Sequence, residues 1–132
     1  MPFLLDTDTC VYALKQDRRV LGQLLSKSRE EVSVSVITEA ELRTGAVKSS
    51  SPIKTLRLIE NFLRPIAIVD FTSDDAIAYA AIRAKLERAG TPIGPVDTLI
   101  ASQAVARKLT LVSNNEREFR RVSGLHWENW AR

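Results

Sequence analysis

The sequence predicts an α/β fold, a three-layer sandwich in which a central, mostly parallel sheet of four to five short strands is flanked by helices. Two observations predict it. Short apolar segments alternate along the chain with segments whose apolar residues recur at helical spacing, and this alternation is typical of a largely parallel sheet. The chain has 132 residues, close to the common size of one domain, so we expect a single domain over residues 1–132.

The first two strands are predicted by two different apolar patterns. The run Phe3–Leu5 is apolar and stops at Asp6, which indicates a buried strand with an acid at its exit. A helix should follow from about Asp8. Between Val32 and Val36, valine alternates with serine, and this period of two predicts the second strand.

The next two helices are predicted by their terminal residues. Helical spacing resumes after Ile37, where Thr38 and Glu41 have the spacing of a capping box. Ser51-Pro52 supplies a cap and a first-turn proline for another helix, which Pro65 should end. The remaining elements are a strand over 66–70, a long helix capped by Ser73, a turn over 90–95, a helix over 96–104, and strands over 109–112 and 125–130.

Composition excludes several kinds of chemistry. The chain has one cysteine and one histidine, Cys10 and His126, so an internal disulfide and a zinc site built on these ligands are ruled out, and thiol or imidazole catalysis is disfavoured. The glycine-rich motifs of P-loop and dinucleotide-binding proteins are absent from the sequence. Any hydrolytic chemistry therefore belongs to carboxylates.

Hydropathy predicts a protein that does not enter a membrane. The mean hydropathy is −0.08, and no apolar run approaches the ~20 residues that a membrane span needs. The first residues lack the basic segment of a signal peptide. We expect a cytoplasmic location.

Three acids follow or flank predicted strands. Asp6 ends the first strand, Glu41 lies in the helix after the second, and Asp97 is the only charged residue between 93 and 106. Ligands of parallel α/β sheets bind outside the carboxyl ends of the strands, so we expect these acids, with Asn114-Asn115 after the fourth strand, to face one crevice. Burying an isolated carboxylate such as that of Asp97 is costly unless something compensates its charge.

Each acid also has a purely structural explanation. Asp6 can cap a helix, Glu41 can complete the capping box, and Asp97 can favour a helix N-terminus. Taken together, however, three converging carboxylates would repel one another, and a bound Mg²⁺ or Mn²⁺ ion is the simplest remedy. Metal ions held in this way typically serve phosphodiester hydrolysis.

Basic residues concentrate around the predicted fourth strand and could track a phosphate backbone, although a solvated surface explains them equally well. They are Arg107, Lys108, Arg117, Arg120 and Arg121, set against Glu116 and Glu118. Tyr12, Phe119 and Trp127 are candidates for base stacking if they are exposed, but most aromatic residues are expected in the core.

Four segments in order, residues 4–9 (LLDTDT), 35–45 (SVITEAELRTG), 94–101 (GPVDTLIA) and 111–119 (LVSNNEREF), resemble the PIN-domain VapC toxins of bacterial toxin–antitoxin systems. The resemblance implies a PIN-like version of the predicted sandwich and a Mg²⁺- or Mn²⁺-dependent endoribonuclease. It further implies a homodimer, a VapB-type antitoxin whose C-terminal segment wraps over the toxin, and contact with DNA only through that antitoxin. The branch with an Asn-Asn-x-x-Glu-Phe ending suggests tRNA as substrate, specifically the anticodon loop of initiator tRNA.

Matched by position, the resemblance implies that Asp6, Glu41 and Asp97 are the acidic catalytic and metal-binding residues. Thr7 and Ser113 match small hydroxyl positions that line the site. Asp8 stands where the family commonly has Asn, and is expected to support the site.

One position departs from the family pattern. Many PIN domains carry an acid after the fourth strand where this chain has Asn115. Glu118 supplies the missing catalytic carboxylate, or a second metal ion binds weakly without substrate. Among the basic residues, Arg117, Arg120 and Arg121 are the expected RNA contacts.

Two alternatives stay open from the sequence. Loss of the acid at Asn115 suits a catalytically weak PIN-like module that binds RNA or a partner. The pair Asp6-Thr7-Asp8 also has the Asp-x-Asp pattern of phosphohydrolases with an aspartyl nucleophile, but the sequence lacks their downstream lysine and second acid pair.

Overall fold

The computed structural model describes residues 2–132, and this part of the chain forms five strands and seven α-helices. A short 3₁₀ turn, Arg29–Glu31, precedes the second strand. In chain order the elements are β1 (Phe3–Leu5), α1 (Thr7–Leu14), α2 (Arg18–Leu25), β2 (Val32–Ser35), α3 (Val36–Val47), α4 (Pro52–Leu63), β3 (Ala67–Val69), α5 (Ser73–Arg88), α6 (Pro95–Arg107), β4 (Thr110–Val112), α7 (Glu116–Phe119) and β5 (His126–Glu128).

The five strands form one sheet in the order β3-β2-β1-β4-β5, and every neighbouring pair is parallel. β1 lies at the centre, with Leu5 in register with Val34 of β2 on one side and with Val112 of β4 on the other. The predicted central parallel sheet is therefore confirmed, with five strands. This order places the carboxyl ends of β1, β2 and β4 side by side.

The side chains of β1 alternate between the two faces of the sheet, as the strand period requires. Phe3 and Leu5 belong to a core cluster that packs against α1 to α4, whereas Leu4 belongs to a second cluster with Ile100 of α6 and Phe119 of α7. Helices therefore cover both faces, which confirms the predicted three-layer sandwich.

Two predicted helix caps are wrong. Ser35, the last residue of β2, caps α3 by accepting a hydrogen bond from the Ile37 backbone N–H at 3.0 Å, so Thr38 lies inside the helix and makes no capping box with Glu41. The cap of α5 lies one residue before the expected Ser73, because Thr72 forms the capping box with Asp75 and Ser73 is already helical. Neither shift changes the order of the elements.

None of the helices within residues 2–132 combines the length and the apolar character that crossing a membrane would require.

Candidate active site

A pocket of about 290 Å³ opens at the carboxyl end of β1, between the first turns of α1 and α6 and the middle of α3. The acids that the sequence placed at strand ends line this pocket together. Its polar lining includes Asp6, Thr7, Asp8, Glu41 and Asp97.

Asp6 is the most deeply buried acid of the pocket, with 4% of its surface exposed. It ends β1 and caps α1, since its Oδ1 accepts a hydrogen bond from the Thr9 backbone N–H at 2.8 Å. The Ser113 hydroxyl donates a second hydrogen bond from the end of β4. Burial nevertheless raises the pKa of Asp6 above its ordinary value, because these donors only partly offset desolvation and the Asp8 charge opposes ionisation.

Asp97 projects from the first turn of α6. Pro95 begins that helix, and the capping position is Gly94, which has no side chain with which to cap it. Burial raises the pKa of Asp97 to about 7, and the nearby Glu118, Asp6 and Asp8 carboxylates add to the shift. Asp97 is therefore the acid of this pocket that holds a proton near neutral pH when no cation is bound.

Glu118 of α7 shares that proton with Asp97. The hydrogen bond from Asp97 lowers the pKa of Glu118, assisted by hydrogen bonds from the Asn115 side-chain amide and the Gly94 backbone N–H. The Asn115 Nδ2 lies 3.0 Å from Glu118 Oε2 and 3.1 Å from Asp97 Oδ2. One amide thus donates to both carboxylates, which keeps two like charges close together.

Glu41 approaches the pocket from α3, where it is exposed to solvent. Its carboxylate accepts a hydrogen bond from the Thr7 hydroxyl. The Thr7 Oγ1 also lies 3.3 Å from Oγ1 of the fully buried Thr38. This role of Thr38 as a support behind Thr7 could not be predicted, because a threonine inside a helix carries no distinguishing local signal.

Ser113 connects the two halves of the pocket. It follows β4, is buried, and accepts a hydrogen bond from the Asn115 backbone N–H at 2.9 Å while donating to Asp6. Residues 113–115 therefore contact Asp6 through a hydroxyl and Asp97 through an amide. The sequence predicted these residues as site-lining groups but gave no indication of which acid each would contact.

The pocket carries negative charge without a positive partner. Within residues 2–132, the ion pairs with N···O of 4.0 Å or less include none to Asp6, Asp8, Glu41 or Asp97. In the same part of the chain, no group of three or more His, Cys, Asp and Glu side chains is arranged as a ready metal site. The donor set suits one hard divalent ion that binds one or two carboxylates and retains several waters, which is the usual coordination of Mg²⁺.

The basic residues around α7 differ in their contacts. Arg117 and Arg120 are exposed and form no ion pair with any other residue that the structure describes. Arg121 donates to the Pro92 carbonyl at 3.1 Å, and Arg107 pairs with the buried Asp75 at 3.0 Å. The guanidinium of Arg107 is therefore engaged by Asp75 and by the Asp70 carbonyl, although the residue is exposed.

The three aromatic candidates for base stacking differ in how far their side chains are exposed. Phe119 has no exposed surface, so it does not meet the condition for base stacking and belongs to the core, as expected for most of the aromatic residues. Trp127 is half-buried against the second core cluster. Tyr12 is half-buried, and its hydroxyl accepts a hydrogen bond from Asn114 Nδ2 at 3.0 Å.

The sheet is entirely parallel, and the acids at the carboxyl end of its central strand form no ion pair within residues 2–132. These two features define an α/β protein with an acidic site of the nuclease type. The PIN domain family model matches residues 3–125. The chain therefore belongs to the PIN-domain family, and within it to the VapC ribonucleases.

Individual relatives match along almost their whole length. The tRNA(fMet)-specific endonuclease VapC of Salmonella typhimurium is 38% identical, over 99% of each chain. The crystal structure of DNA-bound VapBC from Salmonella typhimurium contains a chain with a TM-score of 0.94 and 37% identity, with 98% of each chain covered. VapBC2 from Rickettsia felis, solved bound to a DNA fragment from its promoter, gives a TM-score of 0.92 and 36% identity over 98% of this chain and 99% of that one.

Proposed function

We propose that this protein is the toxin of a type II toxin–antitoxin pair, a divalent-metal-dependent endoribonuclease that hydrolyses a tRNA, with the anticodon loop of initiator tRNA as its target. The observation that carries the proposal is the pair Asp6 and Asp97, two carboxylates in one pocket whose pKa values are raised and which have no basic partner among residues 2–132. The names of the similar proteins support the choice of RNA, and of tRNA in particular.

Asp6 and Asp97 would hold one Mg²⁺ or Mn²⁺ ion, because the buried Asp6 and the half-buried Asp97 both line the pocket and neither forms an ion pair within residues 2–132. Glu41 would contribute from its mouth, and Asp8 would support the site through a water molecule. When bound, the ion would supply an activated water and would offset the negative charge of the scissile phosphate. Ser113 and Thr9 hold the Asp6 carboxylate in place, and the Thr7 hydroxyl orients Glu41.

The RNA backbone would approach over α7. Arg117 of α7 and Arg120, which directly follows α7, are exposed and have no acidic partner in the described chain, so both are available to phosphates. Arg121 would add its charge to the same surface, although its guanidinium already has a carbonyl partner.

Several similar chains come from VapBC complexes, including two that were solved with DNA. We accordingly place a VapB-type antitoxin on this toxin, with DNA contacted only through the antitoxin. A homodimer would cover Ile53 of α4 and Ile77 of α5, each 71% exposed. Since the proposed substrate is a cytoplasmic RNA, the protein acts in the cytoplasm.

The test is cleavage of purified initiator tRNA by the wild type, Asp6→Asn and Asp97→Asn in the presence of Mg²⁺, with cleavage ends mapped by sequencing. Both variants should lose at least about 10²-fold in rate, as expected when charge stabilisation of a transition state is removed. Asp74→Asn is the matched control, since Asp74 is an exposed acid at the start of α5. Wild-type rates in both site variants would contradict the proposal.

Two further outcomes would replace the proposal by the alternatives. RNA binding that survives EDTA, with no turnover under any divalent ion, would identify a binding module. A phosphorylated Asp6 trapped during turnover of a phosphomonoester would identify a phosphohydrolase. Within residues 2–132 no lysine lines the pocket, which disfavours the second outcome.

A further inference from the structure

A second pocket, of about 240 Å³, adjoins the acidic pocket and lies between α5 and the turn that leads into α6. Pro95, the first residue of α6, lines both pockets. One wall of the second pocket is formed by Tyr79, Arg83 and Glu87 of α5, and the facing wall by residues 92–93 of the turn.

The α5 wall is a continuous ridge, because residues four apart lie on one face of a helix. Arg83 connects its members: Nη1 donates a hydrogen bond to the Tyr79 hydroxyl at 3.1 Å, and Nε donates to Glu87 Oε2, also at 3.1 Å. The guanidinium carbon lies 6.0 Å from the centre of the half-buried Tyr79 ring. The ridge therefore presents an aromatic ring and a guanidinium plane that two hydrogen bonds hold in place.

The lining of this pocket suits a flat, neutral heterocycle rather than a phosphate. Within residues 2–132 it contains one cation, Arg83, and one anion, Glu87, which form an ion pair with each other and leave no net charge. The buried Leu86 and the half-buried Ile93 add apolar surface. Unstacked bases of single-stranded RNA are bound in this way, by stacking on aromatic rings or arginine planes with hydrogen bonds at the base edge.

The pocket also lies next to both parts of the proposed RNA path. Pro95 connects it with the pocket of Asp97, and the Arg121 guanidinium donates to the carbonyl of Pro92 at its rim over 3.1 Å. Tyr79 follows the exposed Ile77 by two residues, which is about 200° around a helix. A dimer that covers Ile77 would therefore leave the pocket open to RNA.

We propose that this second pocket binds one unstacked base of the RNA substrate, next to the scissile phosphate. Tyr79 and Arg83 form the stacking surface, and Glu87, whose carboxylate keeps acceptor capacity beside its ion pair, receives a hydrogen bond from the base edge. The inference rests on the proposed function and deepens it: Arg117 and Arg120 contact the backbone whatever the sequence, whereas this pocket makes the cleavage position depend on a base.

The first test is a binding cycle between Tyr79 and the bases of an RNA loop. The probe is the labelled anticodon stem-loop of initiator tRNA, with EDTA present to prevent cleavage, and its loop bases are removed one at a time as abasic sites. Loss of one base next to the mapped cleavage site should weaken binding about tenfold, as loss of one stacked base does. Tyr79→Leu should weaken binding of the intact loop by a similar factor and should not weaken binding of that abasic probe further, because both changes remove one contact.

Losses that multiply for every abasic probe would contradict the proposal, and so would a failure of the wild type to bind any loop. Tyr79→Phe, which keeps the ring, should bind within about threefold of the wild type. If Tyr79→Phe loses as much affinity as Tyr79→Leu, the hydroxyl and not the ring is responsible, and stacking is wrong.

The second test separates stacking by Arg83 from attraction by its charge. Arg83→Gln and Arg88→Gln each remove one positive charge from α5, and Arg88 is exposed. Arg83→Gln should weaken binding several-fold with an unchanged salt dependence, whereas Arg88→Gln should stay within about twofold of the wild type. A salt slope reduced by about one in Arg83→Gln would make Arg83 a phosphate contact and overturn its assignment.

The readouts also distinguish this inference from the proposed function. If the wild type cleaves no RNA under any divalent ion, the proposed function fails, while the binding cycle still tests the pocket. If the wild type cleaves tRNA but Tyr79→Leu binds and cleaves equally well, the base pocket alone is wrong. Light scattering that shows a dimer for the wild type and a monomer for Tyr79→Leu would assign the pocket to a second copy of the chain instead. Should Tyr79→Leu fail to fold, the abasic series with the wild type and Arg83→Gln decides the question.

Discussion

The side-chain amide of Asn115 donates a hydrogen bond to the Asp97 carboxylate over 3.1 Å. The same nitrogen donates to Glu118 at 3.0 Å, so a neutral donor lies between two acids that share a proton. An acid at this position would have no proton to donate when ionised, and it would add a third negative charge to the pair.

Asn115→Asp should therefore lower the melting temperature of the metal-free protein at pH 8, because like charges would then repel without a bridging donor. Mg²⁺ should restore more stability to this variant than to the wild type, since a cation offsets the added charge. Thermal unfolding with and without Mg²⁺ measures both effects. Asn61→Asp adds the same charge to an exposed position of α4 and should change neither; an equal loss of stability in both variants would contradict the explanation.

Stability should fall as pH rises toward neutrality because of Asp97. Its pKa is raised from the ordinary 3.8 to about 7, so the folded protein holds a proton between these values that the unfolded chain releases. More protons on the folded state mean that the unfolding free energy decreases with rising pH over this window. Asp97→Asn should flatten the slope and raise the melting temperature at pH 8, as a thermal scan at several pH values would show. A slope that is unchanged in the variant would assign the effect to other groups.

A divalent cation should reverse the same destabilisation. Mg²⁺ at about 100 times its dissociation constant would add about 2.7 kcal/mol to the unfolding free energy, because it binds only the folded state. The gain should increase with pH, since the ion and the proton compete for Asp97, and EDTA should abolish it. Calorimetry of the wild type and Asp6→Asn measures the difference; an equal Mg²⁺ effect in both proteins would place the cation elsewhere.

Ser113 joins the two sides of the site, and its loss should destabilise the fold. Ser113→Ala removes the donor to the buried Asp6 carboxylate and the acceptor for the Asn115 N–H. Leaving such buried groups unpaired costs about 1–3 kcal/mol. Urea unfolding measures the loss, with Ser123→Ala as the control, since Ser123 is exposed. Equal midpoints for Ser113→Ala and the wild type would show that solvent replaces both hydrogen bonds.

The ion pair between Arg107 and Asp75 should stabilise the protein away from the site. Burial alone would raise the pKa of Asp75, but hydrogen bonds from Thr72 and Arg107 hold it below its ordinary value. Asp75 is 1% exposed and the Arg107 side chain 33% exposed, so Arg107→Met should cost about 2 kcal/mol, somewhat less than the loss of a fully buried partner.

The pH dependence of this pair has the opposite sign to that of Asp97. A lowered pKa gives stability that is present above the ordinary value of 3.8 and is lost as pH falls through the folded pKa. The cost of Arg107→Met should therefore be greatest at neutral pH and small near pH 2. Arg88→Met, at an exposed position of α5, is the control, and a cost that does not change with pH would contradict an electrostatic origin.

Much of the fold could be predicted because its signals are local. The apolar run at β1, the alternation at β2 and the proline at the start of α4 each identify an element from a few adjacent residues. The helix α2 was not predicted as a separate element, although half of Arg18–Leu25 is apolar, because its cap, Asp17, has no distinctive partner in sequence. The capping-box prediction was wrong because Ser35, and not Thr38, accepts the side-chain hydrogen bond at the N-terminus of α3.

The acids that line the site could be predicted from the sequence, but the hydrogen bonds between them could not. Asp6 and Asp97 were identified by their position at a strand end and by isolation within an apolar helix, both local features. The contacts of Asn115, Glu118 and Arg121 join segments that only the sheet order β3-β2-β1-β4-β5 brings together. No pattern within a single segment encodes which carboxylate an amide or guanidinium will meet.

The central position of β1 has a consequence for synthesis. Asp6 is made long before its second hydrogen-bond donor, Ser113, and before β4, the strand that pairs with β1. A growing chain therefore cannot assemble the acidic pocket until β4 and α7 have left the ribosome. The proposed ribonuclease would thereby be inactive during most of its own synthesis, and its activity would begin only once β4 and α7 have joined β1.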